Sequence, residues 1–475
     1  MRFPLALTAK IARHIIKHKL AKTPKFAMVL QLEPLHTCNL TCTGCGRIRE
    51  YSTSLKDMMS LEDCLDSAIE CDAPMVSICG GEPLIYPKIE ELIDGLLEQG
   101  RIVYVCTIGM FMRKKMKDYL AAIYSPEQEP TLQKLLDEKL ISVKDAESVR
   151  KADDKARAKV VIRPTSWMYW NVHIDGLEYT HDLIVEREGV FKECVEAIKM
   201  AKIIGYQVAT NTTVYKETEV KEIEEMFEFF SSMEVDAHTI SPGYEYDAAK
   251  KDMVKRLGKQ PEDFFLTRKM TREKFKDMEK WGDRFTIIGT RVYQEFLAGK
   301  RELTCTAWAI PTRNIKGWKA PCYLMTDGHY AGYQEMLEKV DWNKYGVVDG
   351  VARDPRCENC MVHCGYDPSG ALSSKLSDNW KNMKYNFSAK PKPYYEGRNV
   401  LAFNGVSIGK GHLAPAKAAL KTAGLTYEGA DTEFYVKQMQ ASGTSPRNDE
   451  ALHGGCGSGD ANQRDELIAR IRDRK

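Results

Sequence analysis

The chain has 475 residues, of which 43% are hydrophobic and 29% are charged, and its formal net charge is +2. At roughly 150 residues per domain, this length predicts two to four domains. The composition is typical of a globular protein with an ample core, and the balanced charge gives no support to nucleic-acid binding. No run of 18 apolar residues occurs, so the sequence predicts no membrane-spanning segment.

The first predicted element is a basic amphipathic helix within residues 1–27. A helical wheel separates apolar from basic side chains, with Ile11, Ile15 and Ile16 on one side and Lys10, Arg13 and Lys17 on the other. Such a helix either packs on its own domain or lies in a membrane interface, where each cation near an anionic surface contributes about 1 kcal/mol. The pattern favours packing and leaves the second interpretation open.

Strand-like and helix-like segments alternate over residues 28–262. The predicted strands lie at 28–36, 75–78, 101–109, 170–176, 206–214 and 235–243. This alternation predicts an α/β fold with a parallel sheet and a site at the carboxyl ends of its strands. A Lys/Glu/Asp-rich helical segment at about 113–163 indicates a surface insertion. A cysteine-rich domain at 263–375 and an extension at 376–475 complete the predicted organisation.

The stretch "CNLTCTGCGRI" places Cys38, Cys42 and Cys45 on one short loop. Clustered cysteines in a large chain without a secretory signal indicate metal or cluster ligands in a reducing compartment, here the cytoplasm. A structural zinc ion takes four protein ligands, whereas a 4Fe–4S cluster held by three thiolates keeps one iron open. His36 supplies a fourth zinc ligand, so the zinc alternative stays open.

The order of strand, cysteine loop, helix, strand and "GGEP" (residues 80–83) resembles the radical S-adenosylmethionine (SAM) superfamily. The resemblance implies a partial (β/α)6 barrel, a 4Fe–4S cluster on the three cysteines, and SAM as cosubstrate. Gly80, Gly81, Glu82 and Pro83 would then bind SAM. The glycines would let the backbone approach its methionine moiety, and Glu82 would accept a hydrogen bond from its ammonium group.

The same resemblance extends the SAM site to the ends of later strands. It implies cofactor-binding roles for Thr107, Asp175, Arg187 and Asn211. Arg187 lies in "REGVF", where related enzymes place an arginine that binds the SAM carboxylate. A helix-cap arginine on the surface is the alternative interpretation.

A second cysteine region resembles the auxiliary-cluster domains of radical SAM enzymes. Cys305 and Cys322 frame Gly317, and Cys357, Cys360 and Cys364 follow as Cys-x2-Cys-x3-Cys. The resemblance implies that Cys305, Cys322, Cys357 and Cys360 bind a second 4Fe–4S cluster, with Cys364 spare or exchanged for one of them. Zinc in the same four-cysteine cage remains an alternative, because spacing does not choose between the metals.

One departure from the superfamily pattern narrows the resemblance. The residue before the third cysteine is usually aromatic, and here it is Gly44. "LEPL" followed by "CNLxCxGCG" is similar to the adenosyl-hopene transferase family of hopanoid biosynthesis, and so are "VHIDGLEYTHD" and "CENCMVHCGY". The likeness covers roughly 28–112 and 165–370. It implies that the 5′-deoxyadenosyl radical adds to the terminal alkene of a hopene-type triterpene, forming adenosylhopane, with a reductant such as flavodoxin or ferredoxin.

Cys106 ends the strand "RIVYVC" and is the candidate catalytic residue. Addition to a terminal alkene leaves a tertiary carbon radical that still needs a hydrogen atom. A thiol S–H bond is weak enough to donate one. Free cysteine is also among the most buried residue types, so a core role is the alternative.

Two other functions remain compatible with these motifs. The first is a radical SAM enzyme that modifies a peptide or protein, since auxiliary-cluster domains are common among such enzymes. The second is an iron–sulfur electron carrier or structural metal protein that does not use SAM. For the enzyme, we expect a cytoplasmic location, with the N-terminal helix allowing peripheral contact with the inner face of the membrane.

Overall fold

The structure is a computed structural model that describes residues 2–45, 47–50, 57–258 and 260–391. The extension predicted at 376–475 therefore lies largely outside the described residues. The strands are β1 (Val29–Glu33), β2 (Met75–Ile78), β3 (Ile102–Thr107), β4 (Met168–His173), β5 (Gln207–Val214), β6 (Ala237–Pro242), β7 (Thr312–Asn314), β8 (Gly317–Pro321), β9 (Thr326–Tyr330), β10 (Val347–Val348) and β11 (Val351–Ala352).

The helices surround the sheet and extend beyond it. They are α1 (Leu5–Leu20), α2 (Arg47–Glu50), α3 (Leu61–Cys71), α4 (Ile89–Glu98), α5 (Met112–Ile123), α6 (Glu129–Asp137), α7 (Val143–Arg150), α8 (Asp154–Arg157), α9 (Glu178–Ile184), α10 (Val190–Ile204), α11 (Val220–Ser232), α12 (Asp247–Asp252), α13 (Arg268–Lys274), α14 (Met278–Arg284), α15 (Arg291–Leu297), α16 (Tyr333–Lys339), α17 (His363–Ala371) and α18 (Leu376–Phe387).

Strands β1 to β6 form a parallel sheet in sequence order. Each parallel pair is joined by a crossover containing at least one helix, as parallel strands require. The predicted α/β fold with a partial barrel is confirmed.

The cysteine-rich region continues this sheet. Strand β7 pairs in parallel with β1, and β8 and β9 extend the edge as antiparallel strands. The hairpin between Cys305 and Cys322 is therefore hydrogen-bonded to the barrel. This arrangement fixes the second cysteine region relative to the first strand, which leads into the three-cysteine loop.

Alternation along the strands separates an outer face from an inner one. On β4, Trp170 points outward and is fully buried in the main hydrophobic core. Tyr169 points inward and stacks on Tyr104 of β3, with ring centroids 4.8 Å apart. Cys106 lies two residues beyond Tyr104, so it shares the inner face at the carboxyl end of the strand.

The segment predicted as an insertion contains most of α5 and all of α6 to α8. Arg113 of α5 forms two hydrogen bonds of 2.7 Å with Glu193 of α10. The segment is helical, as its composition predicts, and these bonds join its first helix to a barrel helix.

Helix α1 packs on the barrel through its inner side. Leu7 and His14 are buried, and the His14 Nε2 lies 2.8 Å from the Ala27 carbonyl oxygen. Lys17 pairs with Asp72 at 2.9 Å. Within the described ranges, every helix is too short or too polar to cross a bilayer.

Candidate active site

The three-cysteine loop follows β1 at the carboxyl end of the sheet. Cys38 is buried, and Cys42 and Cys45 are partly buried. Burial raises the pKa of the Cys42 thiol well above its usual value, and the neighbouring Cys45 and Cys38 raise it further. The coupling of Cys42 to Cys45 and Cys38 shows that the three thiols are neighbours, as ligands of one metal or cluster must be.

The separation of these sulfur atoms distinguishes two kinds of metal site. In the described part of the chain, no three cysteine sulfurs lie within 4.8 Å of one another. Thiolates on a single tetrahedral zinc ion lie roughly 3.8 Å apart, given a Zn–S bond of about 2.3 Å. A cubane holds its thiolates on different irons and so separates them more widely.

The glycine loop is shaped by its contact with the cysteine loop. A Cβ atom on Gly80 would lie 2.3 Å from the Leu35 carbonyl oxygen, and one on Gly81 would lie 2.1 Å from that of Thr37. The Glu82 amide donates to the Thr37 carbonyl at 2.9 Å. The sequence analysis assigned these glycines to close approach by the methionine moiety. In the structure, the chain's own backbone already requires them, because no side chain fits between the two loops.

Glu82 links the ends of β2 and β3. Its carboxylate accepts hydrogen bonds from the amides of Leu84 and Ile108, at 3.0 and 2.9 Å, and from the Thr107 hydroxyl at 2.7 Å. Burial raises its pKa to about 7, against the opposing effect of these donors. These three internal donors hold the carboxylate in place and leave one of its roughly four acceptor positions open, so the expected bond to the SAM ammonium group stays a prediction.

Asp175 follows the end of β4, and Asn211 lies within β5 opposite His173. The Asp175 carboxylate accepts a 2.7 Å hydrogen bond from the Thr213 amide and lies 2.8 Å from the His173 Nε2. Burial disfavours the His173 imidazolium, but Asp175 outweighs burial and raises the pKa of His173. The Asn211 carbonyl accepts from the Ile174 amide, and the Asn211 side chain is on the inner face of the barrel.

The segment after α9 holds the cysteine loop from the other side. Glu186 is buried, and its carboxylate accepts hydrogen bonds from the hydroxyls of Thr43 and Thr41, at 2.7 and 3.3 Å. Arg187 follows it and is also buried, so it is not the surface helix-cap residue of the alternative interpretation. The sequence analysis missed Glu186, since nothing in the local pattern shows which distant loop it contacts.

Gly44 has a positive φ of 78°, and the space beside it is filled by an aromatic ring. A Cβ atom at this position would lie 2.6 Å from the Phe264 ring. Phe264 stacks on Tyr215 with centroids 4.1 Å apart and belongs to an aromatic cluster with Phe265, Tyr244 and Tyr246. The aromatic group that other superfamily sequences carry before the third cysteine is supplied here by a residue 220 positions later.

Cys106 faces the barrel interior between two polar side chains. Its sulfur lies 3.2 Å from the Ser77 Oγ and accepts a hydrogen bond from the Asn171 Nδ2 at 3.4 Å. Burial raises its pKa, so the sulfur keeps its proton at neutral pH. Cys79, directly after the neighbouring strand β2, is electrostatically coupled to Cys106 and is more buried.

The second cysteine region surrounds a cavity of about 220 Å³. Its lining contains all five cysteines of the region, Cys305, Cys322, Cys357, Cys360 and Cys364. Burial raises the pKa of Cys305 to about 12, with Cys322 contributing. Cys364 lines the same cavity, so the structure brings together five thiols where four were predicted as ligands.

A buried charge network connects the two cysteine regions, and the sequence analysis missed it. Arg47, two residues after Cys45, pairs with Glu33 at 2.6 Å and also with Glu50. Glu50 pairs in turn with Lys319 of β8 at 2.8 Å. The Arg47 guanidinium lies 4.0 Å from the centroid of the Tyr323 ring, which follows Cys322 directly.

The fold is a partial barrel, and the loop after its first strand contains three neighbouring thiols. Together these features are typical of proteins that hold a thiolate-ligated cluster at the barrel mouth. Residues 32–163 match the model described as the radical SAM superfamily, so this part of the chain is a radical SAM domain. Residues 238–385 match a second model, described as a domain of unknown function, DUF3463. A search of curated proteins found no match to this chain.

Several solved structures are similar to this chain at low identity. SuiB of Streptococcus suis bound to S-adenosylmethionine is 16% identical, with a TM-score of 0.37, over 64% of this chain and 62% of SuiB. Native anSMEcpe with bound AdoMet and the Cp18Cys peptide is 12% identical, with a TM-score of 0.40, over 94% and 99%. The chain thus spans less than two thirds of the length of SuiB.

Members of the superfamily use a 4Fe–4S cluster and SAM. The chain offers a matching donor set for the cluster, namely the partly or fully buried thiols of Cys38, Cys42 and Cys45. No residue on the same short loop supplies a fourth thiol. The site therefore fits a cluster with one iron left for SAM.

Proposed function

We propose that this radical SAM enzyme joins the 5′-deoxyadenosyl group of SAM to the terminal alkene of a hopene-type triterpene, forming adenosylhopane. The sequence resemblance supplies the substrate class. The observation that supports the chemistry is the Cys106 thiol, which faces the barrel interior at the carboxyl end of β3. A reductant such as flavodoxin or ferredoxin would supply electrons.

The residues of the proposed active site would have two roles, binding the cofactors and shaping the cavity. Cys38, Cys42 and Cys45 would ligate the cluster, which when bound supplies the reductive cleavage of SAM. Gly80 to Pro83, Thr107, Asp175, Arg187 and Asn211 are proposed to surround SAM. Within this set, Glu82 positions Thr107 and the two loops, and Asp175 fixes the His173 ring.

The aromatic cluster is the proposed wall against the hydrocarbon. Phe264 and Phe265 lie against the cysteine loop at Gly44, and Tyr215 stacks on Phe264, so this cluster would close the barrel mouth beside the three thiols. A hydrocarbon offers no hydrogen-bonding group, and its recognition depends on burial of apolar surface. Exclusion of water by these rings would also protect a carbon radical from side reactions.

Cys106 is the proposed hydrogen-atom donor. The tertiary carbon radical formed by addition would take the hydrogen atom of the S–H bond, which completes the saturated product and leaves a thiyl radical. An electron from the reductant and a proton from solvent would then restore the thiol. The raised pKa of Cys106 keeps the S–H bond intact, as this role requires.

We further propose that the second cysteine region binds a 4Fe–4S cluster. The cavity that all five thiols of the region line supports this proposal, because it offers four thiol ligands and space between them. This auxiliary site also favours the second candidate function, the modification of a peptide or protein. The cytoplasm is the proposed location, since every described cysteine is free of disulfides.

Product identification tests the proposal. Protein reconstituted anaerobically is incubated with SAM, dithionite and a hopene extract, and lipids are analysed by mass spectrometry. We expect a product with the mass of hopene plus 5′-deoxyadenosine. Cleavage of SAM without any adenosylated lipid would contradict the substrate and direct attention to the peptide alternative.

A further inference from the structure

Two helices at the periphery carry apolar side chains that point away from the protein. On α18, these are spaced by four, three and four residues, which places them on one face of the helix. They are Leu376, Trp380, Met383 and Phe387, with exposed fractions of 85, 62, 45 and 52%. On α1, Leu5, Ile16 and Leu20 are 58, 56 and 79% exposed.

The inner face of α18 holds this orientation in place. Asp378 forms two hydrogen bonds of 2.9 Å with Arg301, and the Tyr385 hydroxyl bonds both the carbonyl and the amide of Ile287. Asn382 donates to the Gly370 carbonyl at 3.0 Å. These buried contacts lie opposite the apolar stripe, so the stripe cannot turn inward without breaking them.

The two helices are antiparallel neighbours. Before α1, the Arg2 amide donates to the Asn386 carbonyl at 3.0 Å, near the end of α18. At the end of α1, the Lys19 Nζ donates to the Ser373 carbonyl at 3.2 Å, just before α18 begins. The helices are about 24 and 18 Å long. Their outer faces together form an elongated surface with apolar stripes, which we call the α1/α18 surface.

The two segments that form this surface carry an excess of positive charge, of which Lys17 and Lys381 are paired with Asp72 and Glu295. Residues 2–32 contain seven lysines and arginines and no acidic residue. Residues 373–391 contain four lysines and one acidic residue, the buried Asp378. The whole chain is balanced, with 69 basic and 67 acidic residues, so this excess is local.

We propose that the α1/α18 surface docks on an anionic lipid bilayer. Exposed Trp, Phe, Leu and Met side chains between cations are what an interfacial helix inserts among lipid headgroups. Residues 392–475 of this chain suit the α1/α18 surface less well than an anionic bilayer does. They contain twelve basic and ten acidic residues and so have no net negative charge to match it. The inference does not depend on the substrate proposed above.

The test uses full-length reconstituted protein and vesicles of phosphatidylcholine, with or without phosphatidylglycerol. We expect binding to the anionic vesicles that weakens with salt. A stripe variant, Trp380→Glu with Phe387→Glu, and a rim variant, Arg13→Glu with Lys384→Glu, should each lower affinity about tenfold or more. The matched controls are Val143→Glu with Val351→Glu, at similarly exposed sites, and Lys151→Glu with Lys155→Glu.

A second readout locates the contact. Lipids brominated in the acyl chains should quench tryptophan fluorescence, and Trp380→Phe should remove that part of the quenching. SAM cleavage without lipid should be unchanged in all variants, which separates this test from the proposed activity. Equal vesicle affinity of wild type and both variants would overturn the proposal. So would absence of Trp380 quenching, or a dimer in solution that the stripe variant dissociates.

Discussion

The Arg47 guanidinium donates a 2.6 Å hydrogen bond to the Glu33 carboxylate, and both groups are buried at the start of the three-cysteine loop. Burial disfavours the Glu33 carboxylate, but Arg47 outweighs it and holds the pKa of Glu33 far below its usual value. The pair fixes the chain on both sides of the loop, since Glu33 precedes Cys38 and Arg47 follows Cys45.

Glu33→Gln should destabilise the protein by about 3 kcal/mol, because it leaves a buried guanidinium only partly neutralised by Glu50. The urea midpoint measures this change, and iron content should fall with it. Glu335→Gln, at the exposed pair with Lys339, is the control and should change neither quantity. An unchanged midpoint for Glu33→Gln would show that the pair does not hold the loop.

Gly44→Ala should lower the iron content of the reconstituted protein and abolish most SAM cleavage. The new side chain would adopt an unfavourable positive φ, at a cost of about 1–2 kcal/mol, and would overlap the Phe264 ring. Adding Phe264→Ala removes the overlap but not the strain, so the double variant should recover part of the iron. If the double variant binds no more iron than Gly44→Ala, then the ring is not the obstacle.

Replacing Cys38, Cys42 or Cys45 with Ala should abolish SAM cleavage, because each change removes a proposed iron ligand. Metal analysis of wild type should find about eight irons if both regions bind cubanes. Each of these variants should keep about four, held by the second region. Four irons with one zinc in wild type would show that the second region binds zinc instead of a 4Fe–4S cluster. The proposal for the first site would be unaffected.

Cys106→Ala should keep both clusters and the ability to cleave SAM, yet form less saturated adenosylated product. Products of the unquenched carbon radical should appear in its place. Cys79→Ala is the matched control, because Cys79 is the neighbouring inward thiol. Normal product from Cys106→Ala, with loss in Cys79→Ala, would move the donor role to Cys79.

Glu222 should make stability depend on pH. It bonds the Leu177 amide and the Thr180 hydroxyl beside the Asp175 loop, and burial raises its pKa to about 7 from 4.5. The folded protein thus keeps a proton that the unfolded chain has lost. Stability should fall by on the order of 3 kcal/mol as pH rises from about 4.5 through 7. Denaturation curves measured across this pH range should show that Glu222→Gln removes the dependence. The same pH profile of stability in wild type and Glu222→Gln would contradict the role of Glu222.

A variant that lacks residues 1–22 should lose stability as well as any membrane contact of α1. Leu7 and His14 of this segment are buried against the barrel, and Arg2 bonds the carbonyls of Phe285 and Asp283. Loss of the segment would expose core, and reduced vesicle binding would then reflect unfolding. The point variants of exposed residues avoid this ambiguity.

The sequence by itself determined the order of the strands and the grouping of three cysteines on one loop. Strand periodicity and the spacing of Cys38, Cys42 and Cys45 are local properties, so they predicted the parallel barrel and the position of the first site at its mouth. The tertiary structure decided what surrounds that site. It placed Glu186 on Thr43, Phe264 beside Gly44 and Cys364 in the second cavity. It also placed α1 beside α18. These contacts join residues that are far apart in sequence. Hydrogen bonding, close packing and ion pairing depend on distance in space, so the spacing of residues along the chain does not predict them.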